Sequence, residues 1–483
     1  DYEELKKNIK TKDLSDFIVI KKNLTWEELE IFELVSNKFP FSFITKEKVR
    51  SYENNLIFSH VLGYVGYKKD LKEQKLNNLK FGISGIEKTF DKKLLGTDGW
   101  IKLETNSKGR IKKELNKKIA IPGENINTSL IAPLQEKAYS LLSEIRGAAV
   151  VIDCKTGGVN CMVSTPSFDN DEFSNGVSSQ KWNRLVIDES NPLLNRCVSG
   201  LYSPGSTYKL LTALFVLEKM GFNKNTKYFC PGFVEFGNRK FHCWKKEGHK
   251  SLDLSEAIKK SCDCYFYNLA KNINIDDLSS FSNQFSIGKL TDIDMPDESG
   301  GLMPDSKWKK KNRGEKWQRG ETLNTVIGQG FTLSTPLQIT LMTARIASGK
   351  NLQPKILKRN RYFFENINVS EENLDFIRNS MLRVVNEFEG TAFRSRLQSG
   401  LKMAGKTGTS QVRRITKEER ESGVLKNEEL AYKLRDHSLF TGYAPYDNPR
   451  FAITVVAEHM GNGSKVAAPI SKKIIDFALR SFS

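Results

Sequence analysis

The chain has 483 residues, of which 39% are hydrophobic and 27% are charged. This balance excludes an intrinsically disordered protein and leaves room for two or three domains with a large core. The 75 lysines and arginines outnumber the 57 aspartates and glutamates and give a net charge of +18, which favours contact with something anionic. No nucleic-acid-binding motif accompanies the basic run 307–313, so we expect a solvated face there and no nucleic acid partner.

The N-terminal part of the chain, residues 1–130, predicts a non-catalytic module. It is rich in lysine, and Thr25 followed by Glu28 is a plausible capping box at a helix start. The glycine-containing stretch 59–67 predicts a short strand. The turn signal Ile121-Pro122-Gly123 marks a boundary, and nothing before it pairs a nucleophile with a base. No apolar segment reaches the roughly 18 residues that span a bilayer, and the chain starts at Asp1, so we expect a processed chain without its anchor or leader.

The remainder, residues 131–483, predicts a second domain of the α+β class. Apolar stretches at 147–153 and 158–164 flank a turn and predict a β-hairpin. Further strands are predicted at 402–410, 438–445 and 451–458, with buried helices at 207–219 and 335–347 and an amphipathic helix at 469–482. We expect the hairpin to join the last three strands in one antiparallel five-stranded sheet with helices on both faces.

A possible nucleophile lies at the start of the first of these helices. Ser206 and Lys209 are three residues apart, so a helix would place the hydroxyl and the amine on one face. A lysine with a lowered pKa can take the proton of a serine, and a helix N-terminus offers N–H groups to an oxyanion. The alternative is that Ser206 caps the helix and Lys209 is a solvated side chain, because this motif alone is common.

Two further motifs follow later in the chain. They are Ser261-Cys262-Asp263 and Lys406-Thr407-Gly408-Thr409. Together with Ser206-x-x-Lys209, they resemble the signature of the penicillin-binding proteins, the serine acyltransferases that cross-link peptidoglycan and are acylated by β-lactams. The segments 200–209, 328–338 and 436–440 are similar to the elongation-type PBP2 branch of class B, and 82–87 resembles the pedestal, or dimerisation-type, domain of that class.

The resemblance implies a role for each motif residue. Ser206 would attack the D-Ala-D-Ala carbonyl, Lys209 would take its proton, and Ser261 would relay that proton to the leaving amine. Lys406, with Thr407, Gly408 and Thr409, would hold the terminal carboxylate of a stem peptide or a β-lactam. Burial and the second cation Lys406 would keep Lys209 neutral. The third position of the middle motif is often asparagine in the family; here Asp263 would form a charge pair with Lys209.

The resemblance also implies a setting and partners. The protein would lie at the bacterial inner membrane with its bulk in the periplasm, and a membrane glycosyltransferase of the elongation complex would dock on the pedestal. No cofactor is expected for catalysis. Two alternatives to a D,D-transpeptidase stay open: a D,D-carboxypeptidase or β-lactamase of the same fold, for which no motif for a water-activating base is visible, and a catalytically silent β-lactam sensor or scaffold.

The seven cysteines suggest a separate metal site. An odd number cannot all pair within one chain, and four of them crowd into residues 230–264. The candidate ligands for a structural Zn²⁺ are Cys230, Cys243, His249 and Cys262. His242 and Cys264 are alternative ligands, and four buried thiols without a metal are the competing interpretation. We expect Cys154, Cys161 and Cys197 to lie in the core.

Overall fold

The computed structural model describes residues 20–482 except 22–23, 40–41, 43, 46–48, 68–79, 107–110, 414, 416–418 and 420–424. The chain divides into two compact units, Asp1–Arg50 and Ser51–Ser483. In the first unit, helix α1 (Trp26–Val35) begins at the predicted capping box, in which Thr25 and Glu28 exchange side-chain and backbone hydrogen bonds of 3.2 Å each. The domain boundary predicted at residue 130 stays a prediction.

The second unit opens with short elements. These are α2 (Ser59–Leu62), β1 (Val65–Gly66), β2 (Phe81–Gly82), α3 (Gly85–Thr89), α4 (Asp91–Leu95), β3 (Trp100–Thr105) and β4 (Ile111–Lys118). β1 pairs with β2 and β3 pairs with β4, both antiparallel. The strand predicted over 59–67 is wrong in its first half, which is α2. The backbone there makes helical hydrogen bonds, from the Leu62 N–H to the Phe58 carbonyl and from the Gly63 N–H to the Ser59 carbonyl, each at 2.8 Å, and Gly63 ends the helix with a φ of +76°.

The elements that carry the motifs follow. The first group is α5 (Ala132–Leu142), β5 (Gly147–Asp153), β6 (Val159–Thr165), α6 (Asn170–Asn175), α7 (Ser179–Ile187) and α8 (Lys209–Met220). The second is β7 (Tyr228–Cys230), β8 (Phe233–Phe236), β9 (Arg239–His242), β10 (Lys250–Leu252), α9 (Leu254–Lys259), α10 (Asp263–Ala270), α11 (Ile275–Asn283), α12 (Ser306–Arg313) and α13 (Arg319–Thr325). The third is α14 (Pro336–Ser348), α15 (Glu371–Asn386), β11 (Ala404–Ser410), β12 (His437–Ala444), β13 (Phe451–Ala457) and α16 (Ala467–Phe482).

One sheet of five strands organises this region. Its order is β11-β12-β13-β5-β6, and all neighbours are antiparallel. The predicted α+β class and the joining of the early hairpin to the last three strands are therefore confirmed. Every residue of β13 is buried, with α14 packed on β13 and β5 and α16 packed on β12 and β13, so helices cover both faces.

One edge of the sheet lies beside Ser206, the candidate nucleophile. β11 is an edge strand, and it packs against the turn Gly205–Thr207 that precedes α8. Residues 209–217 of α8 are all buried, as their uniformly apolar pattern predicts. The thiols of Cys154, Cys161 and Cys197 lie in the core as expected. Among the described helices, none combines the length and the apolarity that crossing a bilayer requires.

Candidate active site

Ser206 lies in a single 3-10 turn, Gly205–Thr207, directly before α8. Gly205 has a φ of +53°, and a Cβ there would lie 2.5 Å from the carbonyl oxygen of Thr409. Only glycine therefore lets the edge strand β11 come this close to the nucleophile's turn. The Gly205 N–H donates to the Gly328 carbonyl at 2.9 Å, which fixes the turn from a second side.

Lys209 is the first residue of α8, and its side chain is completely buried. Its Nζ donates to Asp263 Oδ1 at 2.7 Å, to the Ser261 carbonyl at 2.9 Å and to Ser261 Oγ at 3.3 Å. The ammonium also lies 5.4 Å from the centre of the Phe266 ring. All three N–H groups of the ammonium thus have an acceptor, which is what a buried charge requires.

The middle motif is the turn between α9 and α10. Ser261 has a φ of +55°, a left-handed conformation that costs a non-glycine residue about 1–3 kcal/mol. Asp263 begins α10, and its Oδ2 accepts the Trp244 N–H at 2.9 Å. Burial raises the pKa of the Asp263 carboxyl, and the Lys209 ammonium opposes that shift. The Trp244 indole N–H donates to the carbonyls of Lys260 and Ser261, each at 3.1 Å, and so braces the strained turn.

Lys406 approaches the same serine from the sheet. It lies on β11, its side chain is completely buried, and its Nζ lies 2.8 Å from Ser261 Oγ and 3.2 Å from the Thr407 carbonyl oxygen. Burial, and then the positive charge of Lys209, hold the pKa of Lys406 well below its usual value. Lys406 makes no ion pair within the described part of the chain, whereas Lys209 has Asp263. The site therefore favours a neutral amine at Lys406 in the resting protein.

The rest of the third motif forms the free edge of β11. Thr407 Oγ1 lies 2.8 Å from Thr391 Oγ1, and the Thr409 carbonyl accepts the Gln329 side-chain N–H at 3.0 Å. A Cβ at Gly408 would lie 2.9 Å from the methyl carbon of Thr207, so this glycine also allows close packing of the strand on the nucleophile's turn.

These residues open into one cavity, which we call the catalytic groove. Its volume is about 1700 Å³, and the residues that line it include Ser206, Ser261, Asp263, Thr407, Gly408 and Thr409. The β8–β9 hairpin, Trp244 and the start of α13 also line it. A groove this large exceeds the roughly 300–1,000 Å³ of most small-molecule sites, so it has room for an extended ligand.

The structure thus brings together every residue of the three predicted motifs, although the role of each stays a prediction. Sequence reasoning missed Trp244, which holds Asp263 and Ser261, and Gln329, which holds Thr409. For Trp244, the signal available in the sequence was its position next to Cys243, a candidate zinc ligand. Gln329 lies in the Gly-Gln-Gly segment that carried part of the resemblance, but its partner is 80 residues away in the sequence.

The cysteine cluster lies directly behind the middle motif. The donor atoms of Cys230, Cys243, His249 and Cys262 all lie within 4.8 Å of one another, and all four residues are buried. His249 Nδ1 is 3.5 Å from Cys243 Sγ and 3.7 Å from Cys230 Sγ. Tetrahedral zinc with ordinary bond lengths requires donor separations of about 3.5–3.8 Å. The alternative ligands His242 and Cys264 lie outside this set.

The three thiols of the cluster differ in how readily they lose a proton. Hydrogen bonds from Cys262 and then Cys264 hold the pKa of Cys243 far below its usual value, and a bond from Cys262 lowers that of Cys230 to about 5. The hydrogen bond to Cys230, and then the one to Cys243, raise the pKa of Cys262. Two of the three thiols are therefore held toward thiolate, the form that binds metal, and the fit of the donor set to Zn²⁺ rests on its geometry.

Comparison with known proteins assigns the chain to a family. The family model described as "Penicillin binding protein transpeptidase domain" matches residues 147–476, and "Penicillin-binding Protein dimerisation domain" matches residues 1–128. The peptidoglycan D,D-transpeptidase MrdA of Haemophilus influenzae is 34% identical over an alignment of 487 positions, and the alignment covers 96% of this chain and 74% of the relative. The chain belongs to the class B penicillin-binding proteins of the PBP2 (MrdA) type. The sequence-based family assignment is therefore confirmed.

Two solved structures resemble this penicillin-binding protein closely. The Pseudomonas aeruginosa PBP2 in complex with WCK 5153 is 34% identical, with a TM-score of 0.78 over 91% of this chain and 93% of that one. The Helicobacter pylori PBP2 in complex with MreC is 32% identical, with a TM-score of 0.84 over 99% of this chain and 90% of that one. The pedestal-plus-transpeptidase architecture predicted from the sequence is therefore confirmed.

The buried pair of Lys209 and Asp263 yields a stability prediction. Asp263→Asn leaves the Lys209 ammonium buried without a counter-charge, so we expect the free energy of unfolding to fall by about 3–5 kcal/mol. Chemical denaturation of the two proteins at pH 7 measures the difference.

The matched control removes a carboxylate from an exposed ion pair of similar length. Lys224 and Glu372 lie 2.9 Å apart, with Glu372 79% exposed. Glu372→Gln should cost less than about 1 kcal/mol because water already screens that pair. Equal losses in the two variants would contradict the ion pair inferred at Asp263.

Proposed function

We propose that this protein is a peptidoglycan D,D-transpeptidase that forms an acyl-enzyme on Ser206 from a stem peptide ending in D-Ala-D-Ala, and that β-lactams inhibit it by acylating the same serine. The observation that carries the proposal is the arrangement around Ser261, whose hydroxyl lies 3.3 Å from Lys209 Nζ and 2.8 Å from Lys406 Nζ. The H. influenzae relative is named for the same reaction.

Activation of Ser206 begins with a proton shift. In the resting site, Lys209 is paired with the Asp263 carboxylate at 2.7 Å, and the lowered pKa of Lys406 favours its neutral amine. Ser261 Oγ can accept a proton from Lys209 and donate its own to Lys406, which leaves Lys209 neutral and Lys406 charged. A substrate carboxylate near Lys406 favours this shift because it pairs with the new ammonium. The predicted neutral base at Lys209 is then available one helical turn from Ser206.

Acylation follows on the same residues. Ser206 Oγ attacks the carbonyl carbon of the D-Ala-D-Ala bond while Lys209 takes the hydroxyl proton. The backbone N–H groups of Ser206 and Thr409 would stabilise the oxyanion. When the carbon–nitrogen bond breaks, Ser261 donates a proton to the leaving amine and is reprotonated by Lys209. The products are an ester on Ser206 and free D-alanine.

Binding and resolution complete the cycle. Thr407 and Thr409 offer hydroxyl donors, and Lys406 offers charge, to the terminal carboxylate of the donor peptide. The free edge of β11 can pair with an extended peptide backbone. The amine of a second stem peptide then attacks the ester, forms the cross-link and frees Ser206.

We also propose a structural Zn²⁺ held by Cys230, Cys243, His249 and Cys262. Bound there, the ion would cross-link the segment 230–249 to the middle motif and take no part in the chemistry. Cys262 lies between Ser261 and Asp263, and Cys243 precedes Trp244, which holds Asp263. The four ligands would therefore fix the turn that positions the two polar residues of the motif.

The setting and partners are proposed from the family. The Helicobacter pylori relative is solved in a complex with MreC. We infer that this protein likewise works in a cell-wall assembly, with a membrane glycosyltransferase of the elongation machinery as partner and the pedestal as docking surface. Its place would be at the inner membrane, with the transpeptidase domain in the periplasm.

Penicillin exposure tests the reaction. We expect the intact mass to rise by one penicillin per chain, because Ser206 is the nucleophile, and Ser206→Ala to abolish the adduct. Ser203→Ala is the matched control, since Ser203 lines the same groove three residues earlier, and it should keep the adduct. The measurement is intact-protein mass spectrometry over a time course.

Each of the other outcomes selects a different function. An adduct that disappears within minutes would identify a β-lactamase, and release of D-alanine without cross-linking would identify a carboxypeptidase. If the parent protein forms no adduct, the transpeptidase is refuted, and the catalytically silent sensor or scaffold is the interpretation that remains.

Metal analysis tests the zinc site. We expect about one zinc per chain, and Cys243→Ser should lose the zinc and melt several degrees lower because the ion stabilises the folded state only. Cys161→Ser, a buried thiol outside the cluster, should keep its zinc. Elemental analysis and thermal melts with and without chelator measure both effects; a parent protein without metal and insensitive to chelator would refute the site.

A further inference from the structure

Some of the charged side chains that line the catalytic groove have a partner of opposite charge, and others do not. The charged side chains that line it are Arg239, Lys240, Lys246, Lys309, Arg413, Asp263, Glu315, Glu321 and Asp436. Most of the cations among them have acidic partners. Lys309 pairs with Glu321 and, at 3.3 Å, with Glu315. Lys240 pairs with Glu235 at 3.3 Å.

Two groove cations are left without such a partner. Arg413 pairs with Glu419 at 2.5 Å, but Arg239 and Lys246 make no ion pair in the part of the chain that the structure describes. Both residues are exposed to solvent. An arginine and a lysine that face a substrate cavity without counter-charges offer ready sites for an anion.

Arg239 and Lys246 belong to one continuous segment of the groove lining. Arg239 begins β9 just after the tip of the β8–β9 hairpin, and Lys246 lies in the loop that follows β9. This loop rests on the base of the hairpin, because a Cβ at Gly232 would lie 2.0 Å from the Lys246 carbonyl oxygen. The Cys243 N–H also donates to the Gly232 carbonyl at 2.8 Å. The two cations are therefore carried on one braced segment.

The surroundings indicate what kind of molecule these cations meet. Uncharged polar side chains also line the groove: Gln411, Asn427, Asn462 and Ser464. Amides and hydroxyls of this kind suit the N–H and C=O groups of a peptide. The cations line the same cavity as Ser206, so the peptide that reacts at Ser206 is their candidate ligand. An amide-rich strand with free carboxylates meets both requirements.

We propose that Arg239 and Lys246 form a subsite for the free carboxylates along a peptidoglycan stem peptide, so that the protein binds carboxylate peptides in preference to their carboxamides. This inference rests on the proposed function and adds a substrate preference to it. A guanidinium can bind a carboxylate with two parallel N–H bonds, and a neutral carboxamide gains no such charge-assisted pair.

The test uses two synthetic peptides that both end in D-Ala-D-Ala. One carries free carboxylates on its internal residues, and the other carries carboxamides at the same positions. Their dissociation constants are measured calorimetrically on the full chain with Ser206→Ala, which prevents turnover. We expect the carboxylate peptide to bind about tenfold more tightly at low salt, as charge-assisted hydrogen bonds predict, with the preference falling as salt rises.

Variants in that background assign the preference. R239Q/K246Q should reduce it to less than about twofold, whereas the charge-conserving R239K/K246R should retain part of it. The control K219Q/K473Q removes two exposed cations that do not line the groove and should keep the full preference. Thermal melts verify that each variant is folded.

Three results would overturn the subsite. They are equal binding of the two peptides by the parent, an undiminished preference in R239Q/K246Q, and an equal loss in K219Q/K473Q, which would indicate a general effect of net charge. Failure of penicillin to acylate Ser206 in the unmodified chain is a separate outcome. It would refute the proposed reaction while leaving the peptide preference measurable.

Discussion

The hydroxyl of Ser261 lies between two buried amines, and the catalytic account depends on this contact. Two lysines so close together cannot both be charged at low cost in a dry site. The fold resolves the conflict by giving one of them, Lys209, the carboxylate of Asp263 at 2.7 Å and by leaving Lys406 without an ion pair among the described residues. A proton passed between the two amines through the Ser261 hydroxyl is the proposed response to an arriving substrate carboxylate.

The rest of the domain serves to bring three distant segments to that hydroxyl. α8 supplies Lys209, the strained turn before α10 supplies Ser261 and Asp263, and the edge strand β11 supplies Lys406. Glycines at 205 and 408 remove the side chains that would keep β11 away from the nucleophile's turn. The cost of the left-handed backbone at Ser261 is tolerated because Trp244 holds its carbonyl from outside and Lys209 holds it from inside.

Much of this could be predicted from the sequence. Apolar runs identified the strands β5, β6, β12 and β13 and the buried helix α8, alternation identified β11, and the crowding of cysteines identified the four residues whose donor atoms converge. Other features could not be predicted. The stretch 59–62 forms a single helical turn that Gly63 ends, and its composition does not distinguish that turn from the short strand expected there. The contacts of Trp244 and Gln329 join residues far apart in the sequence, and the division of charge between Lys209 and Lys406 depends on ångström-scale distances that spacing does not encode.

The central claim is the neutral amine at Lys406, and lysine-selective NMR of the ε-methylene and amine groups across a pH series tests it most directly. Loss of one resonance in Lys406→Met assigns the signal. The account predicts that this signal titrates with a midpoint well below 10.5, the ordinary lysine value. A midpoint at or above the ordinary value would contradict it.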